Sequence, residues 1–113
     1  MIITAGKFKG RKITAPDENI TRPTLSKVRM AVFNTLQSLI DFEGSAFLDM
    51  YAGSGIMGLE ALSRGFERVL AIEKNPKVTN VIKTNFKNFE IAPKLILGDS
   101  LKIITKLNEN FDV

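Results

Sequence analysis

From Ala46 onward, two patterns of apolar residues take turns along this chain. Short apolar runs at 46–51, 68–73 and 94–98 have the length of buried strands. Each is followed by a stretch, at 56–64, 76–89 and 101–109, whose apolar positions recur every three or four residues. A further strand is expected to start near Phe111. Strands alternating with helix-length segments predict an α/β domain, a parallel sheet with crossover helices. The helix ends carry matching chemistry. Asn75 is placed to cap, Pro76 takes the first helical position, and Val78, Val81, Ile82, Phe86 and Phe89 form the stripe that packs inward. Ser100 is placed to cap the next helix, and Gly65 stands where a left-handed residue closes the first.

The N-terminal third reads differently. Residues 2–13 alternate loosely and include Gly6 and Gly10, which predicts two short strands in a hairpin with Lys7, Lys9 and Arg11 on one side of the pleat. Residues 15–19 read as loop, and Arg22-Pro23-Thr24 as an extended lead into a helix capped by Thr24 or Ser26 and running to about Leu39. Its apolar positions are Val28, Val32, Phe33, Leu36, Leu39 and Ile40, with Lys27 and Gln37 left exposed. The expected organisation is a basic arm at 1–23, a helix at 24–40 and the sheet from 46 to 113, all within one domain.

The composition narrows the chemistry. With 113 residues, 44% of them hydrophobic, the chain makes one modest core. It has no cysteine and no histidine, which excludes disulfides, thiol nucleophiles and imidazole bases and leaves no ordinary zinc site. No metal is expected. No segment resembles a signal peptide or membrane span, and the expected location is cytoplasmic, with no membrane partner. Residues 1–29 hold seven Lys/Arg against Asp17 and Glu18, a net of +5, which leaves −1 for the remainder of a chain whose total is +4. A basic arm on a near-neutral body fits either a solvated surface or a polyanion partner, nucleic acid before membrane.

In a parallel sheet, ligands sit beyond the carboxyl ends of the strands. Those ends carry Asp49 with the turn Tyr51-Ala52-Gly53-Ser54-Gly55, then Glu73, then Gly98-Asp99-Ser100. Taken singly, each carboxylate also reads as a solvated loop residue or a helix cap, and the glycines as a tight turn without a ligand. Together they outline a cofactor site. Glu73 is placed to accept hydrogen bonds from the two hydroxyls of a ribose, Asp99 from an exocyclic amine, and Asp49 to hold an ammonium directly or through water. Gly53 to Gly58 also satisfies the G-x-G-x-x-G pattern of dinucleotide sites. A carboxylate close to that turn repels a pyrophosphate, however, and suits the positively charged amino-acid end of S-adenosylmethionine.

Four segments then carry a resemblance: Ile3 to Lys12, Arg22-Pro23-Thr24, Val28-Arg29 with Phe33-Asn34, and Asp49 to Gly55 continued by Gly58-Leu59-Glu60-Ala61-Leu62-Ser63-Arg64-Gly65. In order and spacing they resemble the bacterial 16S ribosomal RNA guanine-N2 methyltransferases of the RsmD family. The resemblance implies a Rossmann-like class I methyltransferase fold, S-adenosylmethionine as donor, and a guanine of small-subunit rRNA, in the subunit or an assembly intermediate, as acceptor. It places the cofactor contacts on Asp49, Tyr51, Ala52, Gly53, Ser54, Gly55, Glu73, Asp99 and Ser100. The RNA contacts fall on Lys7, Lys9, Arg11, Lys12, Arg22 and Arg29.

Three positions depart from the family pattern: Tyr51 replaces phenylalanine, Leu25-Ser26 replace a more polar pair, and Met30 replaces glutamate. The sequence also contains no Asp-Pro-Pro-Phe or Asp-Pro-Pro-Tyr, the segment with which the family holds the target amine. The expectation is therefore a cofactor-binding and RNA-docking part that is inactive alone, assigns no catalytic residue, and carries a sheet edge prone to pairing between chains. Two other readings are a nicotinamide-dependent oxidoreductase module and a non-catalytic RNA-binding protein.

Overall fold

A computed structural model describes residues 1–15, 26–92 and 94–113. Three strands, β1 (Ala46–Asp49), β2 (Arg68–Glu73) and β3 (Lys94–Leu97), form a parallel sheet in the order β1-β2-β3. The register pairs Phe47 with Val69 and Ile72 with Ile96. Right-handed crossover is the rule for such units, and the helices α2 (Ile56–Arg64) and α3 (Pro76–Asn88) supply the crossovers here. α1 (Ser26–Leu39) precedes the sheet, and α4 (Ser100–Ile103) follows β3 and tightens into a 3-10 turn at Ile104–Lys106. The α/β class with parallel strands and crossover helices is as expected.

Local chemistry sets the element ends. Asn75 accepts a hydrogen bond from Lys77 N at 2.9 Å ahead of Pro76, so the expected cap is present. Gly65 closes α2 at φ 118°. The cap of α4 is Asp99, whose carboxylate accepts from Leu101 N at 2.9 Å, while Ser100 is already the first helical residue. α4 also stops well short of the expected residue 109, and the apolar residues Leu101 and Ile104 remain exposed instead of packing inward.

The core has two parts. Ile56, Leu59, Ala71, Val78, Ile82 and Phe86 fill the space between β2, α2 and α3, together with Ile3 and Ile13 of the N-terminal arm. Phe33, Phe42, Phe47 and Phe66 form an aromatic cluster under α1, with Phe42 and Phe66 ring centres 4.4 Å apart. α1 departs from expectation. Its inward line is Arg29, Phe33, Leu36 and Ile40, whereas Val28, Val32 and Leu39 lie on the neighbouring line and are exposed.

The arm is a hairpin held by Ile3 N on Arg11 O, Gly10 N on Ile3 O and Ile13 N on Met1 O. It contains one antiparallel bridge, Ile2 to Lys12, and a turn-rich tip rather than two regular strands. At the other end, Val113 N donates to Ala46 O and Leu48 N to Val113 O, the bonding pattern of a parallel strand beside β1. Phe111 to Val113 thus occupy part of the edge expected to be free for pairing between chains.

Candidate cofactor and RNA site

β1 ends at Asp49 and β2 at Glu73, and the turn between β1 and α2 bends over both. Gly53 and Gly55 have φ 55° and 85°, backbone conformations that side chains disfavour. A β-carbon on Gly55 would also lie 3.0 Å from the Phe86 ring. Glu73 props the turn from below: one carboxylate oxygen accepts from Gly53 N at 3.1 Å, the other from Asn75 N at 3.0 Å. Each oxygen keeps a further lone pair with which to accept.

Asp49 is strained electrostatically. One oxygen accepts from Tyr51 N at 3.2 Å, while Oδ2 is buried without a partner among the described residues. Burial pushes its pKa up to about 6, against the pull of the Tyr51 N–H, and the neighbouring Glu73 charge adds to the rise. A buried, half-satisfied carboxylate beside a second carboxylate favours a cationic or hydrogen-bond-donating ligand and disfavours phosphate.

A cleft of about 200 Å³ opens at the strand ends, lined by Met50, Tyr51, Glu73, Lys74, Gly98, Asp99, Ser100 and Leu101. It brings together Tyr51, Glu73, Asp99 and Ser100 from the expected set. Tyr51 is 75% exposed at its mouth. Met50, Lys74 and Leu101 were not singled out from the sequence, although each directly neighbours a residue that was. A larger depression of about 670 Å³ lies elsewhere, where α1 and α2 end, lined by Gln37 to Glu43 with Arg64 and Gly65. It holds none of the expected cofactor residues, whereas the smaller cleft holds four of them, with Asp49 and the turn residues Ala52 to Gly55 outside its lining.

Two serines are committed to the fold. Ser54 is buried, accepts from Ile56 N at 3.2 Å, donates to Met1 Sδ at 3.9 Å and does not line the cleft. The Ser100 hydroxyl donates to Met50 O and so ties α4 to the end of β1. Ala52 is buried, with its N–H on Ile72 O at 3.1 Å, and shapes the turn through its backbone.

Of the expected RNA-contacting residues, Lys7, Lys9, Arg11 and Lys12 are exposed on the hairpin. Arg11 is also anchored: its guanidinium donates to Asn88 O at 2.6 Å and stacks 4.0 Å from the Phe89 ring centre. Arg22 lies outside the described residues, as do Pro23 and Thr24. Arg29 is a correction. It is 1% exposed, pairs with Glu60 at 3.0 Å and donates to Ile2 O at 2.6 Å, so it braces the arm instead of facing a partner. Its burial is possible because Glu60, itself fully buried, also accepts from Thr4 N, Thr4 Oγ1, Ala5 N and Arg64 Nε. Burial alone raises the Glu60 pKa, but the donors from Thr4, Arg64 and Arg29 outweigh it and hold the group below its ordinary value.

Among the described residues, no helix is long and apolar enough to cross a membrane, and no group of three or more candidate side chains could hold a metal ion. Ribosomal RNA small subunit methyltransferase D of Escherichia coli (strain K12) is 40% identical to this chain over 98 residues, 87% of the chain and 48% of that protein. The protein of the same name from Haemophilus influenzae is 38% identical over 90 residues, 80% of the chain and 46% of its own length. The solved structure of yhhF from Escherichia coli superposes with a TM-score of 0.80 at 30% identity, covering 92% of this chain and 56% of that one. The chain thus spans about half the length of the curated relatives it matches. The profile of the family described as conserved hypothetical protein 95 matches residues 1–113, and with the Rossmann-like sheet in place the chain belongs to that family, the RsmD family of the resemblance above.

Proposed function

We propose that this chain is the cofactor-binding and RNA-docking part of an S-adenosylmethionine-dependent enzyme that methylates ribosomal RNA of the small subunit. The acceptor in this reading is the exocyclic N2 of a guanine in 16S rRNA, of the position 966 type. The observation that carries the reading is the buried, unpartnered Asp49 oxygen behind the glycine turn, with Glu73 beside it. The methyltransferase names of the relatives support it.

The residues fit the cofactor's charge layout. Asp49 holds the ammonium of its amino-acid end, Glu73 accepts from the ribose hydroxyls, and Asp99 accepts from the adenine amine. Tyr51 and Leu101 cover the cleft, and the Gly53 and Gly55 backbone allows close approach. When bound, the cofactor supplies an electrophilic methyl group on a sulfonium. Lys7, Lys9, Arg11 and Lys12 neutralise phosphates and bring the acceptor to the rim. The acceptor amine must also be oriented, because its lone pair is delocalised into the guanine ring. No described side chain is assigned that role, so the chain by itself binds without transferring. The cytoplasm, where small subunits are assembled, is the location this reading entails.

Calorimetric titration with S-adenosylhomocysteine tests it. Saturable binding, with no heat from NAD, is the expected result. Binding of NAD without S-adenosylhomocysteine would favour the oxidoreductase reading and overturn this one, since a ligand stabilises only the fold that holds it.

A further inference from the structure

Counting charge along the sequence hides a second basic segment. Residues 74–94 contain five lysines and one carboxylate, Glu90, a net of +4, while 30–73 and 95–113 together carry −5. α3 itself has Lys77, Lys83 and Lys87 and no acidic residue. All three are exposed, and none forms an ion pair among the described residues.

The fold places this segment against the basic hairpin. Arg11 is fixed on Asn88 O and the Phe89 ring, immediately beyond Lys87, and Phe8 packs edge-on against Phe89 with ring centres 5.1 Å apart. Nearer the start of α3, Thr14 N donates to Asn85 Oδ1 at 2.9 Å and Asn85 Nδ2 donates to Thr14 O at 2.8 Å. The seam between the two elements is a shallow groove of about 190 Å³ lined by Thr14, Asn80, Val81 and Thr84, without a carboxylate. Two segments some seventy residues apart in the chain therefore pack side by side, and Lys83 and Lys87 stand on α3 beside this seam, lining a neighbouring groove with Glu90, Ile91 and Ala92.

We infer that the RNA-docking surface extends from the hairpin across this seam onto α3, with Lys83 and Lys87 as further phosphate contacts. The inference rests on the RNA-docking reading of the hairpin. Lysines spaced by one helical turn suit a phosphate backbone, which needs point charges rather than base-shaped pockets. An anionic membrane is the poorer fit. Surface helices that enter lipid present large apolar side chains beside their lysines, and the large hydrophobics exposed among the described residues include none from 7–12 or 76–88.

The test compares binding of naked 16S rRNA to the unaltered chain, to the Lys83→Gln/Lys87→Gln pair and to a Lys7→Gln/Lys9→Gln/Lys12→Gln triple, across a salt series. Loss of two phosphate contacts is expected to lower the slope of log affinity against log salt by roughly 1 to 2 and to weaken binding about tenfold near 0.1 M salt. S-adenosylhomocysteine affinity and the melting temperature should stay unchanged, and Lys83→Arg/Lys87→Arg should keep the full slope. An unaltered slope in the α3 pair, with a reduced one in the hairpin triple, overturns the extension alone. Unaltered slopes in both overturn the RNA-docking reading itself. RNA binding that ignores Lys83 and Lys87, together with binding to phosphatidylglycerol vesicles that requires them, overturns the inference in favour of a lipid surface.

Discussion

Asp49→Asn is expected to make the free chain more stable at pH 7 and to weaken S-adenosylhomocysteine binding by roughly two orders of magnitude, the usual loss when one member of a buried charge pair is neutralised. The two effects share one cause. Asp49 keeps a carboxylate in a place where burial and the Glu73 charge both oppose ionisation, so its pKa rises from 3.8 to about 6. A raised folded-state value means that the protonated form is favoured by folding. That contribution is complete below 3.8 and disappears as pH climbs through about 6, so at neutral pH the ionised group costs on the order of 3 kcal/mol at most. Asparagine keeps the acceptor for Tyr51 N and removes the charge. Scanning calorimetry at pH 7 should show a melting temperature higher by several degrees, and titration should show the lost affinity. Retained affinity in Asp49→Asn would sink the assignment of Asp49 to the cofactor ammonium.

The same group gives opposite pH trends for the unaltered chain. Glu60 has a lowered pKa, so its contribution is present above its ordinary value of 4.5 and is lost as pH falls below it. As far as these two groups decide it, the free chain is most stable at about pH 4 to 4.5 and loses stability as pH climbs from there through about 6. Cofactor affinity instead falls as pH drops below about 6, because the ammonium then faces a neutral acid. Melting curves and titrations at pH 5.5 and 7.5 should therefore move in opposite directions.

What the sequence made legible, and what it left hidden, follows from the range of the interactions. β2, α2 and α3 were readable because their signals are local: the apolar run Val69 to Ile72, the Asn75-Pro76 start and Gly65 at its left-handed φ each fix structure within a few residues. The rim carboxylates were readable for the same reason, since Asp49 and Glu73 each end a strand and Asp99 caps α4 just beyond β3. The face of α1 was not. Its two apolar lines differ by one position, and the line that wins contains Arg29, whose burial depends on Glu60, 31 residues away. Ser54 and Ser100 entered the site only through the family resemblance; Ser54 accepts locally from Ile56 N, whereas the Ser100 hydroxyl donates to Met50 O, 50 residues away and brought near only by the fold. The merging of hairpin and α3 charge was invisible for a similar reason, since it rests on contacts such as Arg11 to Asn88.

Glu60→Ala is expected to be among the most damaging single changes in this chain, at roughly 3 to 5 kcal/mol, enough to lower the melting temperature by about 10 °C or more. Alanine would remove the acceptor for two arginines and for the backbone of Thr4 and Ala5, and leave Arg29 buried without its counter-charge. Glu60 lies on α2 one turn before Ser63, and Ser63 completes the attachment of the arm: its Oγ accepts from Phe8 N and donates to Ala5 O, while its carbonyl accepts from Lys7 N. The fit leaves no room at Gly6, where a β-carbon would stand 1.9 Å from the Ser63 carbonyl oxygen. Gly6→Ala should therefore detach the hairpin from α2 while the sheet persists. Gly10→Ala makes the control, because Gly10 has nearly the same φ, 87° against 85°, but open space around it. It should cost only the 1 to 2 kcal/mol of a left-handed alanine. Hydrogen exchange at Lys7 and Phe8 separates the cases: protection there should vanish in Gly6→Ala, survive in Gly10→Ala, and fall together with that of β1 and β2 in Glu60→Ala. Intact protection at both amides in Gly6→Ala would show that the hairpin stays bonded to Ser63 and that the backbone accommodates the added β-carbon, against the steric argument at Gly6.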